Sequence, residues 1–285
     1  MEIRCILAAT DFSECGGHAV RRAGLLAAQS GAALRLLHVL PGAALTWALL
    51  RYSGTEAESS LRDAAQLLLG EIAGDLRSRL KLDVECIVGT GAAHRVIGDT
   101  LESIQPDLLV VGAHGKGMTR PVWLGGTAGK LLSHCSRPLL VVRRPAQAAY
   151  QSAIAAVDLG PRTSVVLAGT RTLAPTATSR AVHAFVAPYE TALRASGADK
   201  DNLKRYREEE RLNTEQQFAE WVPDEAEMTR ELVDGHPTDV LLEMAQRHTE
   251  LLVAARHSGT RFGELLLGSV PRLLAYHAAC DVMVV

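Results

Sequence analysis

Aromatic residues are scarce in this sequence: Phe, Trp and Tyr together make up 4% of its 285 residues. Val, Leu and Ala carry the apolar weight instead, a bias that suits parallel sheets covered by helices on both faces. There is no excess of charge of either sign. The formal net charge of −2 leaves no basic footprint for a nucleic-acid backbone and no polybasic patch for an anionic membrane surface. No apolar run reaches the ~18 residues needed to span a bilayer. The stretch Met1–Thr10 is too short for a signal peptide and runs at once into Asp11. The five cysteines, Cys5, Cys15, Cys86, Cys135 and Cys280, are odd in number and contain no C-x-x-C pair. That spacing writes neither a disulfide framework nor a zinc or redox pair, and reduced, mostly buried thiols are expected. H-E-x-x-H, Cys/His pairs at metal spacing and close carboxylate sets are also missing. These absences together predict a soluble cytoplasmic protein with no nucleic-acid or membrane partner and no resident metal of its own.

What is present is a repeat. The length suggests two domains, and five landmarks recur in order. Ile6-Leu7-Ala8-Ala9-Thr10-Asp11 is answered by Ala153-Ile154-Ala155-Ala156-Val157-Asp158, and Leu37-His38-Val39-Leu40-Pro41 by Ala184-Phe185-Val186-Ala187-Pro188. Pro106–Gly112 is answered by Thr249–Ala255, and Leu124-Gly125-Gly126-Thr127 by Leu267-Gly268-Ser269-Val270. Both halves end in a β-type run, Leu139–Val142 and Val282–Val285. Pro145 and small polar neighbours mark a linker, giving expected domains at 1–145 and 152–285.

Within the first half, strands are expected near 4–10, 33–40, 83–89, 107–113 and 138–143, with helical patterns over 16–29 and 58–80. Alternating strands and helices predict an α/β protein, with two tandem open parallel five-stranded sheets flanked by helices and joined by right-handed crossovers. The terminal strands 139–143 and 281–285 are the expected contact between the two domains, packed as a pseudo-symmetric pair. The charged stretch Asp199–Trp221 reads as a solvated helix with opposite charges three and four apart.

In such sheets ligands sit beyond the carboxyl ends of the strands, where strand order reverses. The residues after the first and fourth strands are therefore the candidates. The fourth strand runs into Gly112-Ala113-His114-Gly115-Lys116-Gly117, and nine residues separate Gly115 from Gly125-Gly126-Thr127 at the start of a helix. Glycines admit positive φ and let backbone approach an oxyanion. Unpaired N–H groups at a helix start point at the anion, and the dipole favours negative charge there. Thr127 adds a hydroxyl and Lys116 a positive charge. The same glycines would also serve a plain tight turn. A Walker loop fails because Leu124 and Leu131 occupy required positions, and a dinucleotide fingerprint fails at Arg120. Gly125–Gly129 mimics a nucleophile elbow but does not follow a strand directly. His114 has no evident orienting partner for acid–base work, which favours a place on the pocket rim. Asp11 is either an acceptor for adenine or ribose or, with Ser13, a helix N-cap.

These residues resemble the universal stress protein family, whose signature is G-x-x-G, nine residues, then G-[ST]. Here it reads Gly112-x-x-Gly115, nine residues, Gly125-Gly126, and the likeness extends over both halves. The resemblance implies an adenine-nucleotide alpha-hydrolase-like fold and a tandem stress-response protein acting as a sensing or signalling module. It implies ATP or another adenine nucleotide in the first domain, with Mg²⁺ arriving on the phosphates, and pairing of whole chains as a homodimer. Ala9, Thr10, Asp11 and Val39 fit the positions through which the family holds adenine and ribose. Gly126 departs from the family's Ser or Thr, so Thr127 is the only hydroxyl at hand. In the second half Ala255 and Ser258 replace the leading glycines while Gly268-Ser269 is intact. That loop reads as degenerate, with Asp158, Ser258, Gly268 and Ser269 as a second site. Two other readings stay open: a slow ATP hydrolase, and an interaction module that has lost nucleotide binding.

Overall fold

The computed structural model describes residues 1–42, 57–115, 124–224, 227–258 and 265–285. The chain divides into two compact units, Met1–Ala149 with Arg256–Val285, and Tyr150–Ala255.

The first unit carries β1 (Cys5–Thr10), α1 (Glu14–Ser30), β2 (Ala33–Pro41), α2 (Ala57–Leu80), β3 (Val84–Gly91), α3 (Ala93–Ile104), β4 (Leu108–Gly112), α4 (Gly126–His134) and β5 (Leu139–Val142). The period-2 and helical patterns read from the sequence place each of the five strands within two residues at either end. Helix α1 has a clear cause at each end. Ser13 caps its start by accepting the Gly16 N–H at 3.0 Å. Gly31, with φ 69°, ends it in the left-handed conformation. Strands β1 to β5 are all parallel and lie in the order β3-β2-β1-β4-β5. The chain leaves β1 in one direction to β2 and returns on its other side at β4, so the order reverses there. The free edge of β3 is covered: Arg62 of α2 donates to the Val88 carbonyl at 3.1 Å and Arg77 to the Val84 carbonyl.

The second unit holds β6 (Ser152–Ala156), α5 (Thr163–Leu173), β7 (Thr178–Phe185), α6 (Glu190–Ala195), α7 (Lys200–Trp221), β8 (Thr229–Asp234), α8 (Pro237–Gln246) and β9 (Leu251–Ala254), with parallel strands in the order β9-β6-β7-β8. Helix α7 is the charged stretch. It buries Phe218, and Arg211 pairs with both Glu215 and Asp234.

The repeat survives at atomic detail. His38 of β2 donates through Nδ1 to the Thr10 carbonyl at 2.8 Å, and His183 of β7 does the same to Val157 at 2.8 Å. Phe12 (φ 59°) and Leu159 (φ 53°) both turn through the left-handed region just after the strand-ending Asp. The registers also correct one equivalence. Ala9 pairs with Leu37 and Ala156 with Val182, so Val182, not Ala184, answers Leu37. A slip of two residues leaves every side chain on the same face, which is why the hydrophobic pattern concealed it.

The last part of the second repeat belongs to the first unit. It comprises β10 (His257–Ser258), β11 (Leu265–Leu266), α9 (Ser269–His277) and β12 (Asp281–Val284). Strand β12 runs antiparallel to β5, with Val282 opposite Val141 and Val284 opposite Leu139, so the two terminal runs do meet. A buried ionic cluster fixes it. Asp281 accepts from the backbone of Arg143 at 2.8 Å and lies 3.5 Å from the buried Arg22 guanidinium. The Arg143 side chain donates to the Ala275 and Tyr276 carbonyls at the end of α9. The five cysteines are free thiols, three of them buried. Burial beside Asp281 pushes Cys280 up to about 12.

Candidate functional site

A cavity of about 340 Å³ opens at the carboxyl ends of β1 and β4, a volume within the usual small-molecule range of about 300–1,000 Å³. Every described residue expected at the first site lines it: Ala9 and Thr10 of β1 with Asp11 just beyond, Val39 of β2, Gly112 ending β4 with His114 and Gly115 after it, and Gly125, Gly126 and Thr127 opening α4. Lys116 lies outside the described residues. Gly16, Leu37, Ala93, Ile97, Val111, Ala113 and Ala128 complete the wall. Leu37 stands two residues before Val39, and Ala93 and Ile97 are four apart on a helix, so those periods were available in the sequence. What was hidden is which helix faces the cavity.

The glycines act through contact distance. None of Gly112, Gly115 and Gly125 has a positive φ, contrary to the freedom expected of them. A Cβ on Gly112 would come 2.9 Å from the Cys15 backbone, and one on Gly115 would collide with the Asp11 carboxylate. Loop and helix α1 therefore press together with no room for a side chain. Gly126 is different: a Cβ there meets nothing within 4 Å.

The two readings of Asp11 are resolved as far as the cap is concerned. Ser13 takes the cap, while Asp11 Oδ1 accepts from the Ser13 backbone N–H at 3.0 Å and from its hydroxyl. Asp11 thereby holds the β1–α1 turn and presents its other oxygen toward Gly115.

The start of α4 supplies the donors. Gly125 is its N-cap, with no side-chain cap, and the Gly125 N–H is used by the Ala113 carbonyl at 2.7 Å. The N–H groups of Gly126, Thr127 and Ala128 have no partner within the helix by construction, and all three residues line the cavity. His114 lines it as well, with Nδ1 buried and unbonded among the described residues. Among the described lining residues Asp11 is the one carboxylate and there is no Lys or Arg. The arrangement can hold an anion on backbone donors beside an apolar slot formed by Leu37, Val39 and Ile97.

The residues of the expected second site are divided. Asp158 lies two residues past β6 in the second unit and accepts from Gly160 at 3.2 Å, whereas Ser258, Gly268 and Ser269 belong to the first unit. Gly268 is the N-cap of α9, again without a side-chain cap, and Ser269 is its first residue.

The universal stress protein family model matches residues 2–143 and again 150–285. A universal stress protein of Mycolicibacterium smegmatis is 28% identical over 295 aligned positions, covering 98% of this chain and 96% of that protein. Universal stress protein G of Salmonella typhimurium is 32% identical over 135 residues, 46% of this chain and 90% of its own. A universal stress protein structure from Archaeoglobus fulgidus superposes with a TM-score of 0.67 at 14% identity, covering 100% of this chain and 98% of that one. With the family model matched along both repeats, and the fold shared over the full length, the chain belongs to the universal stress protein family, as a tandem member.

Proposed function

We propose that the first unit binds an adenine nucleotide, ATP carrying Mg²⁺, and that the protein works as a nucleotide-responsive module in a stress response. The observation that carries this reading is the cavity at the strand-order reversal, where the post-β4 loop and the uncapped start of α4 converge on one apolar slot. The slot suits a base, and the three backbone donors of Gly126, Thr127 and Ala128 suit a phosphate. Asp11 and the end of β2 stand where the base and ribose would lie. Asp11 is the one described carboxylate beside the loop, and its Oδ1 is engaged by Ser13 in holding the β1–α1 turn, so binding rather than hydrolysis is the reading carried forward. Titrating MgATP into the protein by calorimetry is expected to give one site per chain. Gly115→Val, which drives a side chain into the Asp11 carboxylate, is expected to abolish it. No heat in the unmodified protein, with no nucleotide retained on purification, would overturn the reading. Two sites per chain would assign a ligand to the second repeat also.

A further inference from the structure

A second cavity, of about 270 Å³, lies between α3 and α4, on the turns that follow those facing the first. His94 and Glu102 of α3, Lys130 and His134 of α4, and Arg137 just beyond α4 line it. Lys130 and His134 are one helical turn apart and so project from one face. Neither the Lys130 nor the Arg137 side chain is paired with another described residue. In the same unit Arg22, Arg35, Arg79 and Arg143 all have carboxylate or carbonyl partners.

The two histidines sharpen the chemistry. His134 donates from Nδ1 to the Lys130 carbonyl at 2.9 Å. Its Nε2 is therefore a lone pair when the ring is neutral and becomes a donor only on protonation. Partial burial, then the charges of Lys130 and Arg95 and the His134 ring, hold His94 below the usual imidazole range. The unpaired positive charge of Lys130 and Arg137 thus faces both rings across the groove. An oxyanion placed among them would reverse that field, pair Lys130 and Arg137, and draw a proton onto each imidazole. Glu102 is the one carboxylate of the lining, and it makes no ion pair with either cation.

We propose that this groove is a binding site for a phosphate-type oxyanion, free or carried on a small molecule, distinct from the nucleotide cavity. The volume exceeds that of a bare ion, and Glu102 and Gln105 supply acceptors for ligand hydroxyls beyond it. The site does not rest on the nucleotide reading, since closing the first cavity leaves these residues untouched.

The test is an NMR titration of the histidine ring protons with inorganic phosphate, against chloride at equal ionic strength, in the full chain carrying Gly115→Val. Saturable shifts of His94 and His134 are expected, with both pKa values raised and affinity increasing several-fold as pH falls from 7.5 to 6. The double variant Lys130→Ala with Arg137→Ala should lose at least tenfold in affinity, while Lys130→Arg should retain binding. Tighter binding of glycerol 3-phosphate than of inorganic phosphate would assign an organic phosphate, and equal affinity the free ion. Shifts that match those in chloride, fail to saturate, or persist in the double variant would overturn the proposal.

Discussion

Gly126 is the residue at which the first repeat departs from its family signature, and its surroundings say what the departure does. A side chain there meets open space and faces the cavity at the first position of α4. Gly126→Ser should therefore fold without strain and add a hydroxyl donor to a bound phosphate, a bond worth roughly 1.5–3 kcal/mol when its acceptor is charged. Nucleotide affinity is expected to rise about tenfold or more, read by calorimetry; unchanged affinity would place the phosphates elsewhere. Thermal stability should rise slightly in the same variant, because glycine is about 0.5 kcal/mol less favourable than serine inside a helix. A second residue-scale effect concerns pH. Burial, and then Arg21, hold His18 below the usual imidazole range in the folded protein. The unfolded chain then takes up its proton first, at a pKa near 6.5. The His18 contribution to stability is present above that pH and is lost as pH falls toward the lower folded pKa. The urea midpoint is expected to drop between pH 7.5 and 5.5, and to drop less in His18→Leu. An equal drop in both proteins would assign the effect to other groups.

At the scale of elements, the strands were largely legible because their signal is local. Runs such as Leu108-Leu109-Val110-Val111 carry it whole, and Ser13 caps α1 where the sequence offers a cap. The site was legible for the same reason: nine of the expected residues fall in three short segments, 9–11 at the end of β1, 112–115 at the end of β4 and 125–127 at the start of α4, with Val39 the tenth. What the sequence did not show depends on partners remote along the chain. The slip in β7 was invisible because period 2 is unchanged by two residues. Ala93 and Ile97 look like any apolar helix face until α3 is placed. The role of Asp281 was equally hidden, since it reads as a polar residue before a terminal strand. In the fold it is buried against Arg22 and the Arg143 backbone. Asp281→Ala would leave Arg22 buried without that carboxylate. A loss of about 3–5 kcal/mol is expected, the usual cost of breaking a buried pair from one side. Denaturant unfolding would show it; a loss under about 1 kcal/mol would mean that Ala148, which accepts from Arg22 at 2.8 Å, suffices as its partner.

For the whole molecule, the decisive fact is that the strand closing the first unit comes from the second repeat. The two sequence repeats matched by one family model therefore do not coincide with the two compact units. A fragment of residues 1–149 would expose β5, a strand buried throughout, along the edge that β12 covers. It would also leave Arg22 without Asp281. Such a fragment is expected to self-associate through that edge and to be less stable than the full chain. Sedimentation velocity at several concentrations would decide, and a fragment that stays monomeric and as stable as the parent would show that β5 needs no partner.

The pairing of β12 with β5 also sets a schedule. Val141 and its partner Val282 are about 140 residues apart in the chain. At a synthesis rate of ~5–20 residues per second, β5 leaves the ribosome roughly 7–28 s before the strand that covers it exists. Throughout that interval the nascent chain carries a Leu-Leu-Val-Val edge open to any extended segment nearby. The time during which this protein is most exposed to aggregation is thus written into the order of its repeats, and a holding chaperone would have its natural point of engagement there.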